Sequence, residues 1–397
     1  MIKQLCTANY AGGWTFSICG NANRNARGCG AGIYPITPQT EVVETMVDLY
    51  NKGLIKKGRI FHVESEHSAL AACIGMSMEG ARAFTATSSN GALYMAENIV
   101  CSALLRLPIV MQIVNRTLGP EWNIWAEQGE SLLFRDWGWI QIYCEDNQEF
   151  VDHILMAFYI SENHKVLLPS MLCVDAFILS HTLMPVLLPT QEEADQYLPS
   201  LDLPHRLKVE NPCTVGGLSA PRITASHRYQ MEADFANVFP VYREAQDHFE
   251  KIFHRRPTDP VSGYCVEDAE VIVVASATVA STVRKAVDKF RAQGKKVGLL
   301  KFKMLRPFPT ELFLSVVKNA DKIAVIDRNF ALGAPQKVGG IFCQDIVAAL
   351  GSVASAKLVQ SYILGIGGLD VTGDQIDFVI NDIFSRSQPT QSLWGGL

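Results

Sequence analysis

Strand and helix signals alternate through the first 185 residues of this 397-residue chain, and that alternation leaves few folds open. Thr40–Tyr50 has apolar residues at Val42, Val43, Met46, Val47, Leu49 and Tyr50, a helical rhythm. Thr37 is expected to cap this helix, with Pro38 in its first position and Gly53 at its end. A short strand is expected at Arg59–Val63, a small-residue helix at Ser68–Gly80 and a strand at Arg82–Ala86. A polar turn, Thr87–Gly91, leads from there into a helix ending near Leu104. Pro108–Val114 reads as a buried strand. Trp139–Tyr143, a helix near Gln148–Asn163 and Val166–Leu168 continue the series. Alternating βα units imply a parallel sheet covered by helices.

The rhythm breaks over 190–265, where prolines and charges surround one helix-like stretch, Asp234–Phe253. It resumes at Glu270 with strands at VIVVA, Lys296–Phe302, Lys322–Asp327 and Ala356–Ile363, and a helix at Thr278–Gln293. The expected organisation is a doubly wound first domain over 1–190, a linking segment over 191–265 and a smaller α/β domain over 266–397.

Composition narrows the partners. The apolar share of 48% suits a large core or a buried partner surface. The net charge is -5 and no dense Lys/Arg cluster is present, which argues against nucleic acid. The longest apolar tract, 166–189, is interrupted by Asp175, His181 and three prolines, so it reads as buried strand and loop rather than a membrane span. Ten scattered cysteines form no C-x-x-C pair, and no secretion signal is evident. A reduced, cytoplasmic protein without its own iron–sulfur ligand run is expected.

In parallel α/β sheets, ligands gather at the carboxyl ends of strands. Four such ends carry polar residues: Tyr34–Pro38, Glu64–His67, Thr87–Gly91 and Asn115-Arg116. Each has a plain structural reading as well. Thr37-Pro38 can be only a helix cap, Glu64 and Glu66 only first-turn acids, and Arg116 the partner of a surface acid. Glu64, Glu66 and His67 match no recognised metal-ligand spacing. Gly28, Gly30 and Gly32 form G-x-G-x-G, not the dinucleotide fingerprint, and neither a P-loop nor a G-x-S-x-G elbow occurs.

The ordered series YPITP, VESEHSAL, FTATSSNG, RLPIVMQIVNR, FRDWGWIQIY, VLLP, EDAEVIVVA, LRPFP and GIGGLDVT resembles the alpha subunit of 2-oxoacid:ferredoxin oxidoreductases across nearly the whole chain. The resemblance implies a pyrimidine-type thiamine-diphosphate-binding domain followed by a transketolase C-terminal-like domain. It implies that Glu66 contacts N1′ of the aminopyrimidine, general acid–base catalysis relayed through the cofactor. Ile36, Ser89 and Asn90 are implied neighbours of that cofactor. Thr37 and Arg116 match the residues that hold the substrate's carboxylate and carbonyl, with coenzyme A as cosubstrate.

The chain contains no G-D-G motif. Mg²⁺ and the pyrophosphate are therefore expected on a beta-type subunit, and [4Fe-4S] clusters on a ferredoxin-like subunit. A gamma-type subunit and ferredoxin or another acceptor would complete the hetero-oligomer. Where pyruvate enzymes commonly read NIWNDH, this chain reads NIWAEQ, with Glu127 and Gln128 in the altered places and Trp122, Trp125, Phe134, Trp137 and Trp139 nearby. That departure favours an aromatic 2-oxo acid such as phenylglyoxylate over pyruvate. A self-contained thiamine decarboxylase is disfavoured by the missing G-D-G. A non-catalytic assembly subunit is the reading from another class, and the presence of Glu66, Thr37 and Arg116 argues against it.

Overall fold

The computed structural model describes residues 1–396. In the first half, the elements are β1 (Ile2–Cys6), α1 (Ala8–Asn21), β2 (Cys29–Ile33), α2 (Thr40–Asn51), β3 (Gly58–His62), α3 (Glu66–Met78), β4 (Arg82–Thr87), α4 (Ser89–Tyr94), α5 (Ala96–Leu104), β5 (Val110–Asn115), α6 (Gly129–Leu132), β6 (Ile140–Tyr143), α7 (Asn147–Glu162), β7 (Ser170–Asp175) and β8 (Met184–Leu188). The second half adds α8 (Gln191–Tyr197), α9 (Pro221–Phe235), α10 (Val238–Phe253), β9 (Val261–Tyr264), β10 (Val271–Ser276), α11 (Val279–Arg291), β11 (Val297–Phe302), β12 (Met304–Arg306), α12 (Thr310–Val317), β13 (Lys322–Asp327), α13 (Ile341–Leu350), β14 (Leu358–Ile363), α14 (Gly373–Ser385) and β15 (Leu393–Trp394).

Two mostly parallel sheets result. One runs β12-β6-β7-β5-β4-β2-β3 and the other β15-β14-β13-β10-β11-β9. Strands β4, β5, β6 and β7 are buried along their whole length, as expected when helices cover both faces. In the second sheet, α11 lays Val279, Val283, Val287 and Phe290 on the strands and turns its charges outward.

Glycines decide how closely α3 approaches. A Cβ at Gly32 would stand 2.0 Å from the Ala69 carbonyl oxygen, and one at Gly30 would stand 1.9 Å from the Met76 sulfur. At Gly32 no side chain fits, so β2 and α3 touch backbone to backbone there, while at Gly30 the neighbour is the Met76 side chain.

Some local expectations are corrected. Thr37 does not cap α2: Gln39 is its N-cap residue, and no side chain caps the helix. The Thr37 carbonyl is engaged by Arg116 instead. Gly53 closes the helix at φ +70°, as its placement suggested. Ser89-Asn90-Gly91 is the first turn of α4, preceded by Ser88 in extended conformation. Val166–Leu168 is not a strand. The Arg106 guanidinium takes the carbonyls of Val166 and Leu167 at 2.5 and 2.9 Å, and pairing with the sheet starts at Ser170. The antiparallel pair β1–β8 and the wholly sunken helix α1 went unpredicted. Nearly every residue of α1 is buried, so it shows no apolar stripe. Segment 191–265 is richer in structure than a link. In it, α10 packs on α7, with the Tyr242 hydroxyl 2.8 Å from His153 Nε2.

The two sheets are joined covalently and electrostatically. Right after β11, the chain crosses over and β12 pairs antiparallel with β6 of the first sheet. Lys301 Nζ meets Glu145 and Glu149, each at 2.7 Å, at the seam. Asp175, at the end of β7, reaches the start of α11, where it accepts from the Thr278 amide at 3.3 Å and from its hydroxyl. Gln128 Nε2 donates to the same carboxylate at 3.3 Å, and Arg328 lies 3.6 Å away. Asp175→Ala would leave Arg328, only 3% exposed, without its counter-charge. A loss of about 3–5 kcal/mol is expected, measured by denaturant unfolding of the purified chain. A loss below about 1 kcal/mol would mean that the seam does not depend on this carboxylate.

Candidate active site

The first sheet reverses direction at β2. The chain runs from β2 to β3 on one side and then returns to β4 on the other. Such a switch point opens a crevice beyond the carboxyl ends of β2 and β4. The four polar strand ends named from the sequence border this crevice.

At the end of β3, Ser65 caps α3 by accepting from the Ser68 amide at 3.3 Å. The cap fixes the first turn, and the two neighbouring acids part company there. Glu64 is exposed, and a hydrogen bond from the Ser68 hydroxyl lowers its pKa. Glu66 is buried, and its carboxylate accepts no hydrogen bond among the described residues.

Across from it lies α4. A Cβ on Gly91 would stand 2.7 Å from Glu66 Oε1 and 2.7 Å from Thr87 Oγ1. Thr87 Oγ1 is itself buried and without a partner, and so is Arg116 Nε. Buried polar groups are normally satisfied, so three open valences around one crevice point to a polar ligand.

Arg116 follows β5. One guanidinium nitrogen donates to the Thr37 carbonyl, and the guanidinium carbon lies 5.0 Å from the centre of the Trp122 ring. Burial lowers the pKa of Arg116, while Glu130 and Glu66 act against that. The structure thus brings Glu66, Thr37 and Arg116 together. Ile36 is half-buried beside Thr37, whose side chain is exposed. Ser89 and Asn90 are committed within the chain. The Ser89 hydroxyl donates to the Thr117 carbonyl, and the Asn90 amide exchanges bonds of 3.4 and 3.2 Å with Gly119.

The Glu127–Gln128 departure faces elsewhere. Glu127 accepts from the Gly367 amide at 2.7 Å, and the Gln128 side chain lies between Asp175 and Ser276. Both residues serve the seam between the sheets and not the crevice, whereas Trp122 from the same stretch lies against Arg116. Sequence reasoning passed over Gly91 and Glu130. Glu130 stands among polar neighbours, Glu127-Gln128-Gly129 before it and Ser131 after it, so no local pattern marks it as buried. No three acids, histidines or cysteines are grouped to hold a metal among the described residues. Among those same residues, no helix is long and apolar enough to cross a membrane.

An α/β crevice with a partnerless carboxylate and a buried arginine offers an acceptor and a cation to a polar ligand. Residues 26–247 match the family model described as pyruvate flavodoxin/ferredoxin oxidoreductase, thiamine diphosphate-binding, and residues 269–376 match pyruvate:ferredoxin oxidoreductase core domain II. The pyruvate synthase subunit PorA of Methanocaldococcus jannaschii is 39% identical over 366 residues, covering 92% of both chains. The ketoisovalerate oxidoreductase subunit VorA of Pyrococcus abyssi is 37% identical over 383 residues, covering 96% of this chain and 93% of that one. In fold, the chain is similar to a 2-oxoglutarate:ferredoxin oxidoreductase from Magnetococcus marinus, solved with 2-oxoglutarate, coenzyme A and succinyl-CoA bound. The TM-score is 0.70 at 18% identity, over 96% of this chain and 65% of that one. The chain belongs to the thiamine-diphosphate-binding family of pyruvate flavodoxin/ferredoxin oxidoreductases, as an alpha-type subunit.

The crevice geometry yields a local test. Gly91→Ala gains about 1 kcal/mol of intrinsic helix propensity. Crowding against Glu66 and Thr87 opposes it with a cost of about 1–3 kcal/mol. The variant is expected to melt at or below the wild-type temperature, with the Glu66 carboxylate displaced in its crystal structure. A raised melting temperature with Glu66 in place would show that the crevice has slack there.

Proposed function

We propose that this chain supplies the aminopyrimidine side of a thiamine diphosphate site and the anchor for a 2-oxo acid, within a complex that oxidatively decarboxylates the acid with coenzyme A to acyl-CoA and CO₂. The observation that carries this reading is Glu66, a buried carboxylate that accepts no hydrogen bond among the described residues, in a family that binds thiamine diphosphate. When bound, the cofactor supplies the nucleophilic carbon and the electron sink that loss of a carboxylate requires.

The residues fit that group. Glu66 would hold a proton at N1′ of the aminopyrimidine, with Gly91 leaving room for the carboxylate. Ile36 and Ser89 would border the ring. Asn90 would do so too, while bracing the loop at Gly119. Arg116 is oriented by the Thr37 carbonyl and the Trp122 ring, and its guanidinium would meet the substrate's carboxylate. Its burial excludes water and so strengthens that contact.

The absence of G-D-G and C-x-x-C motifs supports partner chains. A beta-type subunit would carry Mg²⁺ and the pyrophosphate, and a ferredoxin-like subunit would carry [4Fe-4S] clusters. A gamma-type subunit would complete the assembly, with ferredoxin or another carrier taking the electrons. The relatives are named for pyruvate and ketoisovalerate, both short aliphatic 2-oxo acids. Glu127 and Gln128 are occupied at the seam, so they do not shape the crevice for an aryl group. The substrate proposed here is a short aliphatic 2-oxo acid.

In the reconstituted complex, Glu66→Gln is expected to lower turnover by about 10²-fold or more, while the exposed Glu64→Gln costs far less. Near-wild-type turnover by the Glu66→Gln complex would remove the assignment. Substrate class is read separately, from specificity constants for pyruvate, 2-oxoisovalerate and phenylglyoxylate with a viologen acceptor. Preference for either aliphatic acid is expected. A clear preference for phenylglyoxylate would restore the aromatic reading without touching the family.

A further inference from the structure

We propose that Glu130 is a positioning residue for this reaction, one that braces the two loops carrying Arg116 and Ser89 through their main-chain amides. The inference rests on the site reading given above. Glu130 lies in the single-turn helix α6 and is fully buried. Its Oε1 accepts from the Arg116 amide at 2.6 Å and from the Ser89 amide at 3.4 Å. One oxygen therefore ties the end of β5 to the start of α4, which follows the neighbouring strand β4. Ser89 needs such a tether. Its φ of +48° lies in the left-handed region, which a non-glycine residue adopts at a cost. Removing the acceptor would leave two buried amides unpaired and free both loops to relax.

The carboxyl also carries a proton worth using. Its second oxygen, Oε2, is buried with no donor, and Asn115 Oδ1 beside it is likewise unpartnered. Burial pushes the Glu130 pKa up to about 8, against the pull of the Arg116 and Ser89 amide bonds. At neutral pH the group is then a neutral acid, which braces the loops without placing a charge behind Arg116. Above pH 8 it ionises and competes with the substrate's carboxylate for the guanidinium.

The other groups facing it do not confuse this titration. From β6, Tyr143 is held well above its ordinary pKa by burial, and from β7, Cys173 is raised by burial too. Both stay neutral through this range. Arg116 stays charged, and Glu66 faces Arg116 from α3.

The test uses the assembled complex, with pyruvate as probe. Its Kd is measured by calorimetry from about pH 6.5 to about pH 9.5, spanning the raised carboxyl pKa. Infrared titration follows the carbonyl stretch of the protonated carboxyl over the same range, read as the difference between wild type and Glu130→Gln, because burial also pushes Asp327 on β13 up to about 7. In the wild type, pyruvate binding should weaken by at least about threefold as pH rises through that window, and the carboxyl band should disappear with it. Glu130→Gln keeps the acceptor oxygen and cannot ionise, so its Kd should stay level across the window and the band should be missing. Glu130→Leu should weaken pyruvate binding by about tenfold or more near neutral pH, the scale of a lost buried hydrogen bond, and Glu130→Gln should recover most of that loss. A pH profile of Glu130→Gln that superimposes on the wild type, or an unchanged carboxyl band, overturns the proposal even if the Glu130→Leu variant fails to assemble. Binding and infrared readouts need no turnover. A complex that binds pyruvate with this pH dependence but decarboxylates no 2-oxo acid would therefore refute the proposed function and leave the role of Glu130 in fixing Arg116 standing.

Discussion

The contact between α3 and β2 sets the geometry on which the crevice depends. Gly32 lets the helix backbone rest directly on the strand, with the Ala69 carbonyl where a Cβ would otherwise sit, and Gly30 makes room for the Met76 side chain. The cost is the loss of two side chains from the core. The gain is a helix whose axis is fixed by backbone contact, not by flexible packing. Ser65 then fixes where the helix begins, and Glu66 is the first residue after that cap. A longer side chain on β2 would lift α3 and carry the Glu66 carboxylate away from Gly91 and Thr87. Burial of an acid that accepts no hydrogen bond is unfavourable by itself. The close-packed support beneath it keeps the carboxylate in place.

The second α/β unit acts through the seam. Its sheet also reverses direction, at β10 between β11 and β13, so a crevice is expected at the start of α11. That position holds Asp175 from the first sheet, which takes the Thr278 amide much as an anionic ligand would take a helix N-terminus. The first unit thereby occupies the ligand position of the second. A few residues away, Lys301 and Lys303 sit on Glu149. Burial alone would raise the pKa of that acid, and the two lysines lower it below the carboxylate range instead. Burial and Lys303 together push His153 down to about 3, so it stays neutral beside Tyr242. Charges at the seam form a shared network, with Lys301 bridging Glu145 and Glu149 and Lys303 joining it at Glu149, which suits a fixed docking of the two units more than a hinge.

Period and composition were enough to find most strands, because a strand buried on both faces is an apolar run wherever it lies. They failed at α1 for the mirror-image reason: a helix buried all round has no stripe to read. The segment Val166–Leu168 looked like a strand by composition, but a single distant arginine, Arg106, claims its carbonyls. Gly30 and Gly32 were read only against a nucleotide motif that they do not form. Their packing role depends on which helix crosses the strand, and no local pattern encodes that. The resemblance placed Glu66, Thr37 and Arg116 at the crevice, where the structure also brings them together. It misjudged Glu127 and Gln128, because residues close in sequence to a substrate loop can face the opposite side of it.

Three glutamates near one crevice end in three electrostatic situations, and the surroundings decide each. Glu64 is exposed and receives a hydroxyl bond, so its charged form is favoured. Glu66 is buried with no donor and borders open space beside a glycine, which leaves its lone pairs to a ligand. Glu130 is buried with two backbone donors on one oxygen and none on the other, so burial outweighs the bonds it receives and the neutral acid persists at pH 7. Residue type alone cannot rank these three. What separates their roles is the number of donors and the access of water at each carboxyl. By that count the exposed acid is left to solvent, the open one to the ligand and the closed one to the scaffold.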